Sequence, residues 1–146
     1  MQQQVSEQQI VQMAQQEEAI IDSQKSFLRK VISILRDSNR TIDSLNELMK
    51  NPEKMYINLG SGVLVEVEPK NTEKCKRAFA ENGYLEEGIP ETIKWLQKRK
   101  ENSQNQIERI EQDLAKSETK LNELISVLKQ IDAQKRKQQE FSISKK

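Results

Sequence analysis

Residues 107–131 read IERIEQDLAKSETKLNELISVLKQI, and apolar residues recur in this stretch at alternating steps of three and four. Such steps keep an apolar stripe on one side of an α-helix, where it can face a single partner helix. The pattern predicts a long helix that pairs with another along two columns of residues seven apart. The first column contains Ile93, Ile107, Leu114, Leu121 and Leu128, the second contains Leu96, Ile110, Leu124 and Ile131, and Lys100, Ser103 and Ser117 interrupt them.

A second long helix is predicted in the N-terminal third of the chain. Its strong pattern runs from Ile20 to Met49 and weakens toward the N-terminus, where Glu17 and Gln24 fall on one column. Asn51-Pro52 stops it, because proline lacks the backbone N–H and disfavours helix in the preceding residue. Two such helices joined by an insert predict a mainly α fold built on an antiparallel coiled coil. The predicted columns are Ile20, Phe27, Ile34 and Leu48, and Ile21, Leu28, Leu35, Ile42 and Met49.

The insert between the helices contains two β-hairpin signals. Residues 55–67, MYINLGSGVLVEV, place a glycine-rich turn between two strand-forming halves. Residues 74–87, KCKRAFAENGYLEE, contain Asn82-Gly83, although 73–80 taken alone could equally be a helical turn. Pro90 suits the first turn of the next helix. The predicted organisation is an N-terminal coiled-coil helix at 1–50, a double β-hairpin assembly region at 51–90, a C-terminal coiled-coil helix at 91–140 and a flexible tail at 141–146.

The composition argues against catalysis. The chain of 146 residues contains no histidine and one cysteine, which removes the commonest general base and leaves too few strong ligands for a zinc site. We therefore predict no enzyme activity, no cofactor and no metal. A formal charge of +1 gives no strong attraction to nucleic acid or a membrane, and no apolar run reaches the roughly 20 residues of a membrane span. The N-terminal sequence has no basic segment followed by an apolar one, so we expect no secretory signal. The single cysteine favours a reducing compartment, which is the cytosol or the nucleus, and we predict a cytoplasmic location.

The insert is longer than a reversal of the chain requires, which suggests that it binds other chains. Isolated hairpins are marginally stable in water, and their open edges need protection. A shared sheet or barrel formed with other subunits would meet both needs. The residues expected at this assembly surface are Leu59, Gly60, Gly62, Val63, Val65, Val67, Phe79, Tyr84 and Leu85.

The heptad columns serve first to pack the helices together. Apolar residues near both chain ends could in addition lie beyond the mutual contacts of the helices and bind another protein. Trp95 is expected to pack against the sheet and Cys75 to be a small interior strand residue, while Arg99 and Lys100 are expected on a solvated face. The candidate client-binding residues at the tips are Val5, Ile10, Val11, Met13, Leu128, Ile131, Phe141 and Ile143.

Four segments of the insert and its flanks resemble prefoldin subunits of the α class. Residues 59–65, LGSGVLV, are similar to the family's first hairpin turn and following strand, and 71–74, NTEK, to its link between hairpins. Residues 82–86, NGYLE, resemble the second turn and strand, and 90–98, PETIKWLQK, the start of the second helix. Two hairpins favour the α class, since β-class subunits carry one. The chain departs from the family at Ala80-Glu81-Asn82-Gly83, where Gly-x-Gly is frequent, and at Lys74, Lys76 and Arg77, where apolar residues are preferred.

The resemblance implies a heterohexamer of two α and four β subunits, in which the hairpins form a double barrel and the coiled coils extend as tentacles. It also implies a chaperone that holds non-native proteins between the tentacle tips and passes them to a cytosolic chaperonin without ATP. The partners would be β-class prefoldin subunits, unfolded clients and the chaperonin, with no nucleic acid and no membrane. Two alternatives stay open: a structural or tethering coiled-coil protein with dimerising hairpins, and a subunit of a prefoldin-like complex with another role.

Overall fold

The computed structural model describes the backbone of residues 6–144 and the side chains of residues 6–142. The elements in chain order are α1 (Glu7–Met49), β1 (Met55–Gly60), β2 (Val63–Val67), β3 (Lys74–Ala80), β4 (Gly83–Gly88) and α2 (Ile89–Ser144). The mainly α fold with two small antiparallel hairpins is therefore confirmed. The chain divides into two compact units. We call residues 31–106 the hairpin unit, and the described residues up to 30 together with those from 107 the helix-pair unit.

Helix α1 has a defined signal at each end. At the N-terminus, Ser6 Oγ accepts a hydrogen bond from Gln9 N at 3.2 Å, and Gln9 Oε1 accepts one from Ser6 N at 3.1 Å. This reciprocal pair is a capping box, which satisfies backbone donors that the first helical turn leaves unpaired. At the C-terminus, Asn51 adopts a left-handed φ of 57° just before Pro52. The predicted stop at Asn51-Pro52 is confirmed, because an asparagine in this conformation ends a helix.

Helix α2 is longer than the sequence pattern predicts. It begins at Ile89, two residues before the predicted boundary, and Ile89 is fully buried. The Ile89 N–H donates to the carbonyl of Glu73 at 2.9 Å, which joins the helix start to the segment before β3. At the other end, the helix includes residues 141–144, which belong to the segment predicted as a tail. The sequence contains no glycine or proline after Pro90, so nothing in the backbone ends the helix earlier.

In the helix-pair unit, α1 and α2 run antiparallel. The ion pair of Glu7 with Lys135 and that of Glu17 with Lys120, at 3.6 Å, link early residues of α1 to late residues of α2. We call the line along which the two helices pack against each other the seam. Along α1, the buried residues that form it follow one another at steps of four and three. In α2, the seam is formed by the residues of the two predicted columns. The buried residues of this unit are Ile10, Ala14, Glu17, Ile21, Ile110 and Ser117.

The structure corrects one of the two columns predicted for α1. The column with Ile21 and Leu28 lies in the seam, whereas Ile20 and Phe27 are 45% and 50% exposed. Neighbouring residues are about 100° apart around a helix, so adjacent columns cannot both face one partner. The second seam column instead contains Glu17 and Gln24 and continues in the hairpin unit with buried Val31 and Ser38.

Each hairpin is a separate two-stranded sheet. In the first, β1 pairs with β2, and the turn residues Gly60, Ser61 and Gly62 have φ angles of 106°, 54° and 76°. These positive angles explain the glycines, because a side chain is strained there. In the second hairpin, β3 pairs with β4, which resolves the alternative for 73–80 in favour of a strand. The turn residues are Glu81-Asn82, and Gly83 already pairs with Ala80.

Candidate protein-binding surfaces

The first hairpin exposes apolar side chains on both faces. Ile57 pairs with Val65 and Met55 with Val67, so these four residues share one face. Tyr56 and Leu64, on the opposite face, are also exposed. Strands with two apolar faces and open edges are typical of a sheet that is completed by another chain.

The predicted assembly residues lie on the two hairpins. In the first hairpin, Leu59 is 68% exposed, Val63 and Val65 are exposed, and Val67 is half-buried. Gly60 and Gly62 form the turn. In the second hairpin, Phe79, Tyr84 and Leu85 are exposed. Their role in assembly remains a prediction.

A polar network fastens the second hairpin to α2. Arg77 Nε of β3 donates to Glu87 Oε1 of β4 at 2.6 Å, and Thr92 Oγ1 of α2 donates to the same oxygen at 2.7 Å. Cys75 Sγ lies 3.2 Å from Thr92 Oγ1. Since the threonine hydroxyl has one proton, which goes to Glu87, the thiol donates to Thr92. The network holds both strands against the first turn of α2.

This network changes the acidity of Glu87. The hydrogen bond from Arg77, and secondly that from Thr92, lowers the pKa of the Glu87 carboxyl below its ordinary value, against the opposite effect of burial. Both favourable contacts stabilise the charged form. Glu87 is therefore a carboxylate at neutral pH and compensates the charge of Arg77.

Trp95 packs beside the second hairpin, as the sequence predicts. The guanidinium of Arg77 lies 4.2 Å from the centre of its ring, and that of Arg99 lies 5.3 Å away. Both distances fall within the range of cation–π attraction. The contact also explains an arginine on β3, where sequence propensity favours apolar residues: Arg77 has both a carboxylate and an aromatic partner.

The helix-pair unit has a stripe of exposed apolar residues beside its seam. Met13, Ile20 and Phe27 are seven residues apart on α1 and are all exposed, as is Val127 on α2. Phe27 borders a hollow of about 300 Å³ together with Ile110 and Asp113 of α2. We call Met13, Ile20, Phe27 and Val127 the exposed stripe. The sequence pattern places Ile20 and Phe27 in the seam. Because they lie one position before Ile21 and Leu28, however, the two columns are about 100° apart around the helix, and this offset indicates that only one of them faces the partner helix.

The predicted tip residues fall into three groups. Val11, Met13 and Phe141 are exposed, as a binding surface requires. Ile10 is 7% exposed and lies in the seam, where Leu128 and Ile131 are half-buried. Val5 lies outside the described residues, and Ile143 belongs to α2 but its side chain is not among those described.

Two kinds of feature are missing from the described part of the chain. Within residues 6–144, no group of three or more metal-ligating side chains comes together. Neither of the two helices, over the same residues, is long and apolar enough to span a membrane.

Two long helices joined by small antiparallel β-hairpins form a prefoldin-like fold. A family model described as prefoldin subunit matches residues 14–134, so the chain belongs to the prefoldin family, whose members are chaperones and not enzymes. The fold is similar to that of a chain of filamentous PFD from Methanocaldococcus jannaschii, with a TM-score of 0.64 and 16% sequence identity. The match covers 79% of this chain and 97% of that one. No curated protein sequence gives a significant match.

Proposed function

We propose that the chain is an α-class subunit of a prefoldin-type heterohexamer that acts in the cytosol. The complex would contain two α and four β subunits, and the hairpins would form its double barrel. The first hairpin carries this proposal, because its apolar side chains are exposed on both faces. Burying one such side chain contributes about 1.5–3 kcal/mol, so several of them buried together would stabilise a permanent interface. The presence of a second hairpin supports the α class, because β-class subunits carry one.

The proposed activity is to hold unfolded proteins without ATP and to deliver them to a cytosolic chaperonin. The exposed stripe supports a holding surface, since it presents four apolar side chains beside the seam in the helix-pair unit. Val11 and Phe141 add exposed apolar area in the same unit. Several weak contacts of this kind, repeated over the subunits of a complex, add up through high effective concentration.

Reconstitution tests this function in two stages. The chain is first mixed with purified β-class prefoldin subunits, and the mass of the complex is measured by native mass spectrometry. We expect a heterohexamer, whereas a stable homodimer that takes up no partner would favour the tethering alternative. The complex is then added, without nucleotide, to a chemically unfolded protein as it is diluted into buffer. Light scattering should fall as the complex approaches stoichiometric amounts, and unchanged scattering at an excess would refute holding.

A further inference from the structure

A groove lies in the hairpin unit between the last turns of α1, strand β3 and the first turns of α2. Its volume is about 340 Å³, and its apolar lining comes from Leu45, Ala78, Leu96 and the ring of Trp95. A second hollow of about 430 Å³ adjoins it and shares Trp95 and Arg99 with it. The two together form one largely apolar groove edged by Lys98, Arg99 and Asn102, which we call the Trp95 groove.

The charge of the Trp95 groove is of one sign. Lys76, Arg77 and Arg99 line the first hollow, Lys98 and Arg99 line the second, and no carboxylate lines either. Arg77 is compensated by Glu87, but Lys76, Lys98 and Arg99 take part in no ion pair among the described residues. The local excess of positive charge contrasts with the formal charge of +1 for the whole chain. A ligand that fits this lining carries negative charge next to an apolar group.

We propose that the Trp95 groove binds an acidic peptide segment of a partner protein. An aliphatic side chain of the peptide enters the apolar pocket, against Leu45, Leu96 and the Trp95 ring. Carboxylates on its neighbouring residues pair with Arg99 and Lys98, where a charge-assisted hydrogen bond is stronger than a neutral one. Nucleic acid fits less well, because single strands are held by several stacking aromatic residues along a basic track, and the groove has one half-buried tryptophan. The Trp95 groove shares no residue with the exposed stripe or with the predicted assembly residues, so the inference does not depend on the proposed function.

The chain contains a single tryptophan, which makes Trp95 a reporter inside the groove. The probe is a synthetic glutamate-rich peptide with one leucine and no aromatic residue, titrated into the full-length chain while Trp95 fluorescence and the heat of binding are recorded. Matched probes replace either every glutamate with glutamine or the leucine with serine. An oligonucleotide of equal charge is titrated in parallel. We expect saturable binding of the acidic leucine peptide, weaker binding of the serine peptide and none of the glutamine peptide, with affinity falling as salt rises.

Variants locate the binding site. Arg99→Gln should weaken the binding of the acidic leucine peptide by about tenfold or more, because one charge-assisted contact is lost. Arg109→Gln, also an exposed arginine of α2 but outside the groove, should leave the affinity unchanged. Circular dichroism checks that each variant keeps its helix content, and Lys98→Gln replaces Arg99→Gln in the comparison if the latter unfolds. Equal binding of the glutamine peptide, equal affinity of the groove variant and the control, or tighter binding of the oligonucleotide would each overturn the proposal.

Discussion

Arg77 and Glu87 meet on one face of the second hairpin, with Arg77 Nε 2.6 Å from Glu87 Oε1. Their side chains are 18% and 16% exposed, and the hydroxyl of Thr92 donates to the same carboxylate oxygen. One carboxylate thus joins β3, β4 and α2. The junction between the second hairpin and α2 depends on a group that titrates in acid.

Glu87→Gln should lower the free energy of unfolding at neutral pH and matter less as the pH falls. The pKa of Glu87 is lowered from 4.5 in the folded chain, first by the hydrogen bond from Arg77. A carboxyl with a depressed folded pKa contributes stability that is fully present above the unfolded value and is lost as the pH falls through the folded one. The unfolding free energies of the two proteins, measured in urea, should therefore begin to approach each other below about pH 4.5 and meet only below the lowered pKa of the folded chain.

The neighbouring Glu86→Gln is the matched control for this pH dependence. Glu86 is exposed on β4 and forms no ion pair among the described residues. Its variant should follow the wild-type curve at every pH. A gap between Glu87→Gln and wild type that stays constant with pH would contradict the role given to the charged carboxylate.

Two adjacent isoleucines separate packing from binding. Ile21 is 6% exposed in the seam, so Ile21→Ala should cost about 2–5 kcal/mol of stability. Ile20 is part of the exposed stripe, and Ile20→Ala should cost no more than about 0.5 kcal/mol of stability, as at other surface positions.

In the assembled complex, Ile20→Ala combined with Phe27→Ala should instead roughly double the amount of complex needed to suppress aggregation of an unfolded protein. Thermal unfolding and light scattering provide the two readouts, and full suppression by the double variant at the amount that suffices for the wild type would show that clients do not bind the stripe.

Gln24→Leu should stabilise the helix-pair unit. Gln24 occupies a seam position, and its Oε1 is buried without a hydrogen-bond partner among the described residues. Such an acceptor costs about 1–3 kcal/mol, which an apolar side chain of similar size avoids. We expect the melting temperature to rise by several degrees, measured by circular dichroism. Gln16→Leu places the same change on the exposed surface of α1 and should leave the melting temperature nearly unchanged. Equal shifts in the two variants would rule out this explanation.

Charges on the first hairpin should block assembly without unfolding the helices. Val63 and Val65 are exposed in the chain by itself, and glutamate at both positions would bury unpaired charge in any sheet shared with a partner, at a cost of several kcal/mol. Native mass spectrometry with the β-class subunits should show no hexamer, while circular dichroism shows normal helix content. Lys70→Glu, an exposed change between the hairpins, should assemble as wild type. Normal incorporation of the Val63→Glu, Val65→Glu chain would disprove the shared-sheet model.

The elements that the sequence predicts correctly depend on local signals. The seam of α2, the stop at Asn51-Pro52 and the turn at Gly60-Ser61-Gly62 each follow from residue periodicity or from the conformations that proline and glycine allow. The Ser6–Gln9 capping box was equally local and could have been found in the sequence, since Ser-x-x-Gln before a helical pattern is its signature.

The sequence by itself thus determined two long helices and two hairpins, because these depend on backbone preferences and on residue periodicity. The tertiary structure alone decided which side of α1 packs against α2. Counting apolar residues favours Ile20 and Phe27, but the seam takes Glu17 and Gln24, since the geometry of the partner helix selects positions three and four apart regardless of their polarity. It also decided the partners of Arg77: its contacts with Glu87 and Trp95 join residues 10 and 18 positions apart in the chain, which no local pattern specifies.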